Sequence, residues 1–114
     1  MNKTYNMDEV FANIEKRLQA NPDPIEGMEA VYQFDLSGDE IETYQLHLSN
    51  GKAWVGQEES SSADCLIKMK QKDFMEMLLG RLNGTTAFMT GKLKVKGSMG
   101  LAMKLQNVLG HYEA

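Results

Sequence analysis

The sequence predicts an α+β domain built from a five-stranded, twisted sheet with helices packed on one face. Four short segments alternate apolar and polar residues, as half-buried strands do, and a fifth is short and apolar. Longer segments carry apolar residues at helical spacing. Because each strand is apolar on one side only, the helices must cover that side. At 114 residues, with 42% hydrophobic and 25% charged residues, the chain can bury a core, and we expect residues 1–114 to form one domain.

The first helix should begin after Asn6, because Asn6 and Glu9 form a helix-start pair three residues apart. Pro22 and Pro24 should end it. The apolar stripe of this helix is Val10, Phe11, Ile14 and Leu18.

Three strands should follow as a meander. Residues 28–36 and 43–48 alternate clearly, and the turn at 37–39 separates them. Asn50 and Gly51 predict a tight hairpin turn into a short third strand at 53–55, because both residues tolerate positive φ.

The second half should contain a strand, a helix, a strand and a helix. We expect a fourth strand at residues 65–70 and a helix at 72–82, which Asn83 and Gly84 end. A fifth strand at 93–96 and a final helix at 98–109 complete the order. That helix is apolar nearly all round, so it needs cover on more than one side. It is either deeply buried or one wall of a cavity.

The charges are unevenly divided along the chain. Four of the 12 basic residues and 13 of the 16 acidic residues precede Cys65. The acidic half disfavours a nucleic-acid partner, whereas the basic half could contact an anionic membrane surface. Alternatively, its lysines only solvate the outward faces of strands and helices.

Signals for catalysis and for metal binding are weak. The single Cys65 excludes an internal disulfide and suits a reducing cytoplasm, which is where we expect the protein to act. His47 and His111 have neither a nucleophile nor a third metal ligand near them in sequence. We therefore expect no enzymatic activity, no metal and no cofactor. The chain also lacks an apolar segment of membrane-spanning length and the apolar core of a secretory signal.

The chain resembles the sterol carrier protein type 2 domain over nearly its whole length. The longest and most specific match is residues 87–106, AFMTGKLKVKGSMGLAMKLQ. Shorter matches lie at residues 30–34, 63–67, 73–74 and 80–82. The resemblance implies that the sheet and helices enclose an apolar tunnel for fatty acids, fatty acyl-CoA or sterols. It thus implies a soluble lipid-binding or lipid-transfer protein.

The resemblance also implies ligand-binding positions. These are Phe34 on the first strand, Phe88 and Met89 in a loop at the tunnel edge, and Met99, Met103 and Gln106 on the last helix. The 22–27 linker is shorter than the second helix that many members carry, and the peroxisomal signal at the C-terminus is absent. The alternative function is a non-catalytic interaction module whose apolar C-terminal helix packs on a partner protein.

Overall fold

The computed structural model describes residues 6–57 and 62–109, which form a five-stranded mixed sheet and four α-helices. The strands lie in the order β3-β2-β1-β4-β5. The helices are α1 (Met7–Ala20), α2 (Gln71–Leu78), α3 (Gly84–Met89) and α4 (Met99–Leu109). The strands are β1 (Ala30–Ser37), β2 (Ile41–Ser49), β3 (Lys52–Gly56), β4 (Cys65–Lys70) and β5 (Leu93–Gly97). A single 3₁₀ turn, Asp23–Ile25, occupies the linker after α1.

The register of the sheet sorts its residues onto two faces. Strand β1 pairs antiparallel with β2 and parallel with β4, so that Phe34 lies beside both Tyr44 and Ile67. These inward residues are fully buried beneath the helices. The outward face carries polar residues instead, such as Gln33 and Asp35 on β1. The predicted fold class is confirmed, with helices on one face of an open sheet.

Helix α1 closes one end of the core with aromatic rings. Asn6 caps the helix as predicted, because its Oδ1 accepts the Glu9 backbone N–H at 3.2 Å. The Phe11 ring stacks on Tyr44 at 4.2 Å and on Phe74 of α2 at 5.4 Å between centroids. Phe34 meets the same Phe74 edge-on. The aromatic rings therefore fill the core between α1, α2 and the sheet.

The expectation of one helix over 72–82 followed by a loop is wrong. Helix α2 stops at Leu78, because Gly80 takes a φ of +80° and redirects the chain. Asn83, expected to end that helix, instead begins α3, since its Oδ1 accepts the N–H groups of Thr85 and Thr86 at 2.8 and 3.3 Å. Phe88 and Met89 therefore lie on a short helix.

Of the two alternatives expected for helix α4, deep burial is wrong, because the helix is buried along one side only. Its buried residues are Leu105, Val108 and Leu109. The helix starts after Gly97, whose φ is +96° and where a Cβ atom would lie 2.4 Å from the Asp64 carbonyl oxygen. A side chain at this position would collide with backbone, so the corner requires glycine.

Candidate functional site

An apolar pocket of about 250 Å³ lies between α3, α4 and β5, at the β5 edge of the sheet. Most of its wall is apolar. The lining residues are Met77, Gly84, Thr85, Phe88, Leu93, Val95, Met99, Ala102, Met103, Leu105 and Gln106. Such a concave apolar site is suited to a hydrophobic ligand.

The floor and back of the pocket are rigid elements. Leu93 and Val95 occupy alternate positions of β5, and both point to the face that the helices cover. Met77, buried on α2, stands behind them. Ala102 on α4 is small, and it leaves space that a larger side chain would fill.

The mouth of the pocket is a rim of exposed apolar side chains. Phe88 is 44% exposed, Met99 47% and Met103 84%. Met89, which is 80% exposed, lies on the same short helix as Phe88 but is not among the lining residues. Contiguous exposed apolar surface is uncommon on monomeric proteins and marks sites that contact another apolar body.

Gln106 joins the two helices that flank the mouth. Its Oε1 accepts the Gly84 backbone N–H at 3.0 Å, which ties the start of α3 to α4. A Cβ atom at Gly84 would lie 3.2 Å from the same oxygen, so the glycine permits this close approach. The side-chain amide oxygen of Gln106 therefore already accepts a hydrogen bond from within the protein.

Tyr32 fastens α4 to the sheet beside the pocket. Its hydroxyl donates to the Leu101 carbonyl oxygen at 2.6 Å. Burial raises the pKa of this phenol well above its usual range, and the neighbouring Cys65 raises it further. The phenol therefore remains a hydrogen-bond donor at any pH at which the protein is studied.

The structure brings four of the six predicted site residues to one cavity: Phe88, Met99, Met103 and Gln106. Phe34 lies elsewhere, fully buried among the aromatic rings of the closed core. The pocket has further lining residues that the sequence does not single out, namely Met77, Leu93, Val95 and Ala102. For Leu93 and Val95 the signal was present, since their alternation with lysines placed them on the inward face.

The candidate catalytic groups are separated. His47 faces outward on β2, where its ring stacks on Trp54 at 5.3 Å, whereas Cys65 points inward from β4. Burial raises the pKa of the Cys65 thiol, and the Asp64 carboxylate adds to that shift. His111 lies outside the described residues. Within residues 6–57 and 62–109, no three potential metal ligands come together.

Comparison with known families decides the classification. Residues 11–110 match the SCP-2 sterol transfer family. The chain belongs to this family. Hydroxysteroid dehydrogenase-like protein 2 of Xenopus tropicalis is 43% identical over 109 residues, which cover 95% of this chain and 26% of that protein. Sterol carrier protein 2 of Homo sapiens is 40% identical over 103 residues, which cover 87% of this chain and 19% of that protein. The chain thus spans at most about a quarter of these two relatives.

Solved structures of the SCP-2 family share the fold. Sterol carrier protein 2 from Yarrowia lipolytica, in its apo form, superposes with a TM-score of 0.73 at 28% identity, covering 90% of this chain and 84% of that one. Sterol carrier protein 2 from Aedes aegypti, solved in complex with palmitate, gives 0.70 at 24% identity, covering 95% and 97%. The sheet and its helices are therefore the family fold. In the described part of this family member, no helix is long and apolar enough to cross a membrane.

Proposed function

We propose that the protein binds a long-chain lipid in the pocket between α3, α4 and β5, and transfers it between membranes. The observation that carries this proposal is an apolar pocket whose mouth is surrounded by exposed apolar side chains. Family membership supports it, as does the palmitate bound by the Aedes aegypti relative. A fatty acid, a fatty acyl-CoA or a sterol-like molecule has the chemistry that these walls accept.

Binding energy should come from the apolar part of the ligand. Each methylene removed from water contributes roughly 0.8 kcal/mol, whereas one neutral hydrogen bond contributes a net of about 0.5–1.5 kcal/mol. A contact with Gln106 is therefore outweighed by two or three methylenes. We expect selection by length and width of the apolar part, with weak discrimination between headgroups.

The pocket must widen to take a whole acyl chain. Its volume of about 250 Å³ is below the range of about 300–1,000 Å³ that is typical of small-molecule sites. Helix α3 is short, and Gln106 ties its first residue to α4. We propose that α3 moves away from α4 when the ligand enters, and that the exposed rim contacts the membrane during the exchange.

We propose that this protein is not an enzyme. The outward position of His47 and the inward, buried position of Cys65 support this, because a nucleophile and its base must lie within hydrogen-bond reach. The match covers 26% of the dehydrogenase-like relative from Xenopus tropicalis, so we do not carry the activity in the name of that whole protein over to this chain.

A variant that fills the pocket tests the lipid-binding proposal. In Ala102→Trp, the new side chain occupies the cavity, and we expect the affinity for a fluorescent fatty-acid analogue to fall at least about tenfold. Ala12→Trp on the exposed side of α1 is the matched control and should bind as the unmodified protein does. Equal affinity in both variants, each with native circular dichroism, would remove the lipid from this pocket.

The exposed rim also favours a second candidate, an interaction module. Met103 and Phe88 could pack on a partner protein instead of a membrane, because burial of their exposed side chains against either one is favourable. Native mass spectrometry of the purified protein separates the two. A bound lipid mass supports transfer, whereas an obligate protein partner with no lipid supports the module.

A further inference from the structure

A second cavity, which we call the lysine cleft, lies against the outward residues of β4 and β5 and reaches the first residues of α2. Its volume is about 530 Å³, within the usual range for small-molecule sites. Its lining residues are Asp35, Ser37, Ile41, Lys68, Met69, Lys70, Lys72, Asp73, Thr90, Gly91, Lys92 and Lys94. Five lysines and two aspartates give this wall a net positive charge.

The lysines converge because of the sheet register. Lys68 and Lys70 project outward from β4, and Lys92 and Lys94 project outward at β5. Lys68 and Lys94 are direct cross-strand neighbours. Like charges in that position destabilise a sheet, so the pairing costs the folded state free energy.

The two aspartates offset only part of this positive charge, and neither forms an ion pair with a lysine of the cleft. In residues 6–57 and 62–109, the only ion pair joins Arg81 and Glu76, away from the cleft. Asp35 lies beside Lys68 in the register, but its Oδ1 accepts hydrogen bonds from Thr43 Oγ1 at 3.0 Å and Gln33 Nε2 at 3.2 Å. The cleft thus holds cations without ion-pair partners, in a concave site that concentrates their field.

We propose that the lysine cleft binds a ligand carrying two or more phosphate groups, held by Lys68, Lys70, Lys92 and Lys94. Several ammonium groups around a concave site can contact one compact polyanion at the same time. A flat membrane surface with singly charged headgroups could not reach all of them. The ligand is either a soluble phosphorylated molecule or a polyphosphorylated lipid headgroup, and both present the same chemistry to the cleft.

This cleft is independent of the apolar pocket. Strand β5 separates the two, with Leu93 and Val95 facing the pocket and Lys92 and Lys94 facing the cleft. Changes in the cleft should therefore leave fatty-acid affinity unchanged. Failure of one site would say nothing against the other.

Calorimetric titration with inorganic tripolyphosphate at low salt tests the proposal. In Lys68→Gln/Lys94→Gln, we expect affinity at least about tenfold weaker, with a higher unfolding temperature in the absence of ligand because the cross-strand repulsion is removed. The matched control is Lys16→Gln/Lys52→Gln, which removes the same charge from exposed positions on α1 and β3. Equal loss in both variants, or no measurable binding to the unmodified protein, would overturn the cleft as a phosphate site.

Vesicles then distinguish the two sources of phosphate. We would compare phosphatidylcholine vesicles containing phosphatidylinositol bisphosphate with vesicles containing phosphatidylserine at equal surface charge. Binding that prefers the bisphosphate and requires Lys68 and Lys94 assigns the cleft to a lipid headgroup. Tripolyphosphate binding without that preference assigns it to a soluble ligand.

Discussion

At the scale of single residues, we propose that Gln106 controls access to the apolar pocket. The resemblance of the sequence to lipid carriers implied a polar group facing the ligand. In the structure its Oε1 accepts from the Gly84 backbone and holds α3 against α4. We therefore interpret Gln106 as a residue that positions α3, and its contact with a ligand headgroup as secondary.

Removal of this contact should ease ligand entry. In Gln106→Ala, we expect the free energy of unfolding to fall by about 1 kcal/mol or less, because one partly exposed hydrogen bond is lost. Association of a fluorescent fatty-acid analogue should become faster, since α3 is released. Stopped-flow mixing measures the rate, and Asn107→Ala on the same helix is the control. A rate that is unchanged, or changed equally in the control, would argue against this role.

Cys65 should react slowly with thiol reagents in the folded protein. Its side chain is fully buried and its thiol pKa is raised, first by burial and then by Asp64, so little thiolate is present near neutral pH. We expect modification by an aromatic disulfide reagent to be at least about tenfold slower than in urea-unfolded protein. Comparable rates in both states would show that the inner face of β4 opens readily.

At the scale of secondary structure, the strands could be predicted and helix α3 could not. Alternation in β1 and β5 fixed which side chains point inward, because the period of two is a local property. Asn83 and Gly84 are equally typical of a helix end and a helix start, and only the tertiary contacts choose between them. Thr85 and Thr86 have low helix propensity, so the short segment gave no periodic signal.

Helix α4 depends on the Tyr32 hydroxyl for its position. In Tyr32→Phe, we expect a loss of about 1 kcal/mol in unfolding free energy and faster hydrogen exchange in α4, because the bond to Leu101 disappears. Tyr44→Phe is the matched control, since that hydroxyl donates to Asp8 of α1 at the other end of the core. Mass spectrometry of exchanged peptides measures both. Equal acceleration of α4 in the two variants would show that the Tyr32 bond does not anchor it.

At the scale of the whole molecule, aromatic rings fill the core beside α1, whereas a pocket remains open at the β5 edge of the sheet. Phe11 of α1, Phe34 of β1 and Phe74 of α2 pack ring against ring and fill the space between these helices and the sheet. Three methionines, Met77, Met99 and Met103, are among the residues that line the pocket. Methionine is flexible and polarisable, so it accommodates apolar partners of different shape.

The difference between the filled aromatic core and the open pocket explains which site residues could be predicted. The alternation of apolar and polar residues predicts which strand residues face the helices, and it places both Phe34 and Val95 on that inward face. Whether such a residue meets a packed ring or an empty pocket depends on how far each helix stands from the sheet. That distance is set by non-local packing, so the sequence does not distinguish Phe34, which lies among packed rings, from Val95, which lines the pocket.

The central claim is that a lipid chain occupies the pocket between α3, α4 and β5, and methionine methyl groups report on it directly. Palmitate would be titrated into protein labelled with ¹³C at the methionine methyls, and each resonance followed by NMR. We expect chemical-shift changes and ligand contacts at Met77, Met99 and Met103, with Met7 on α1 and Met28 before β1 unchanged. Changes confined to Met7 and Met28, or saturating palmitate without any effect on the pocket methionines, would contradict it.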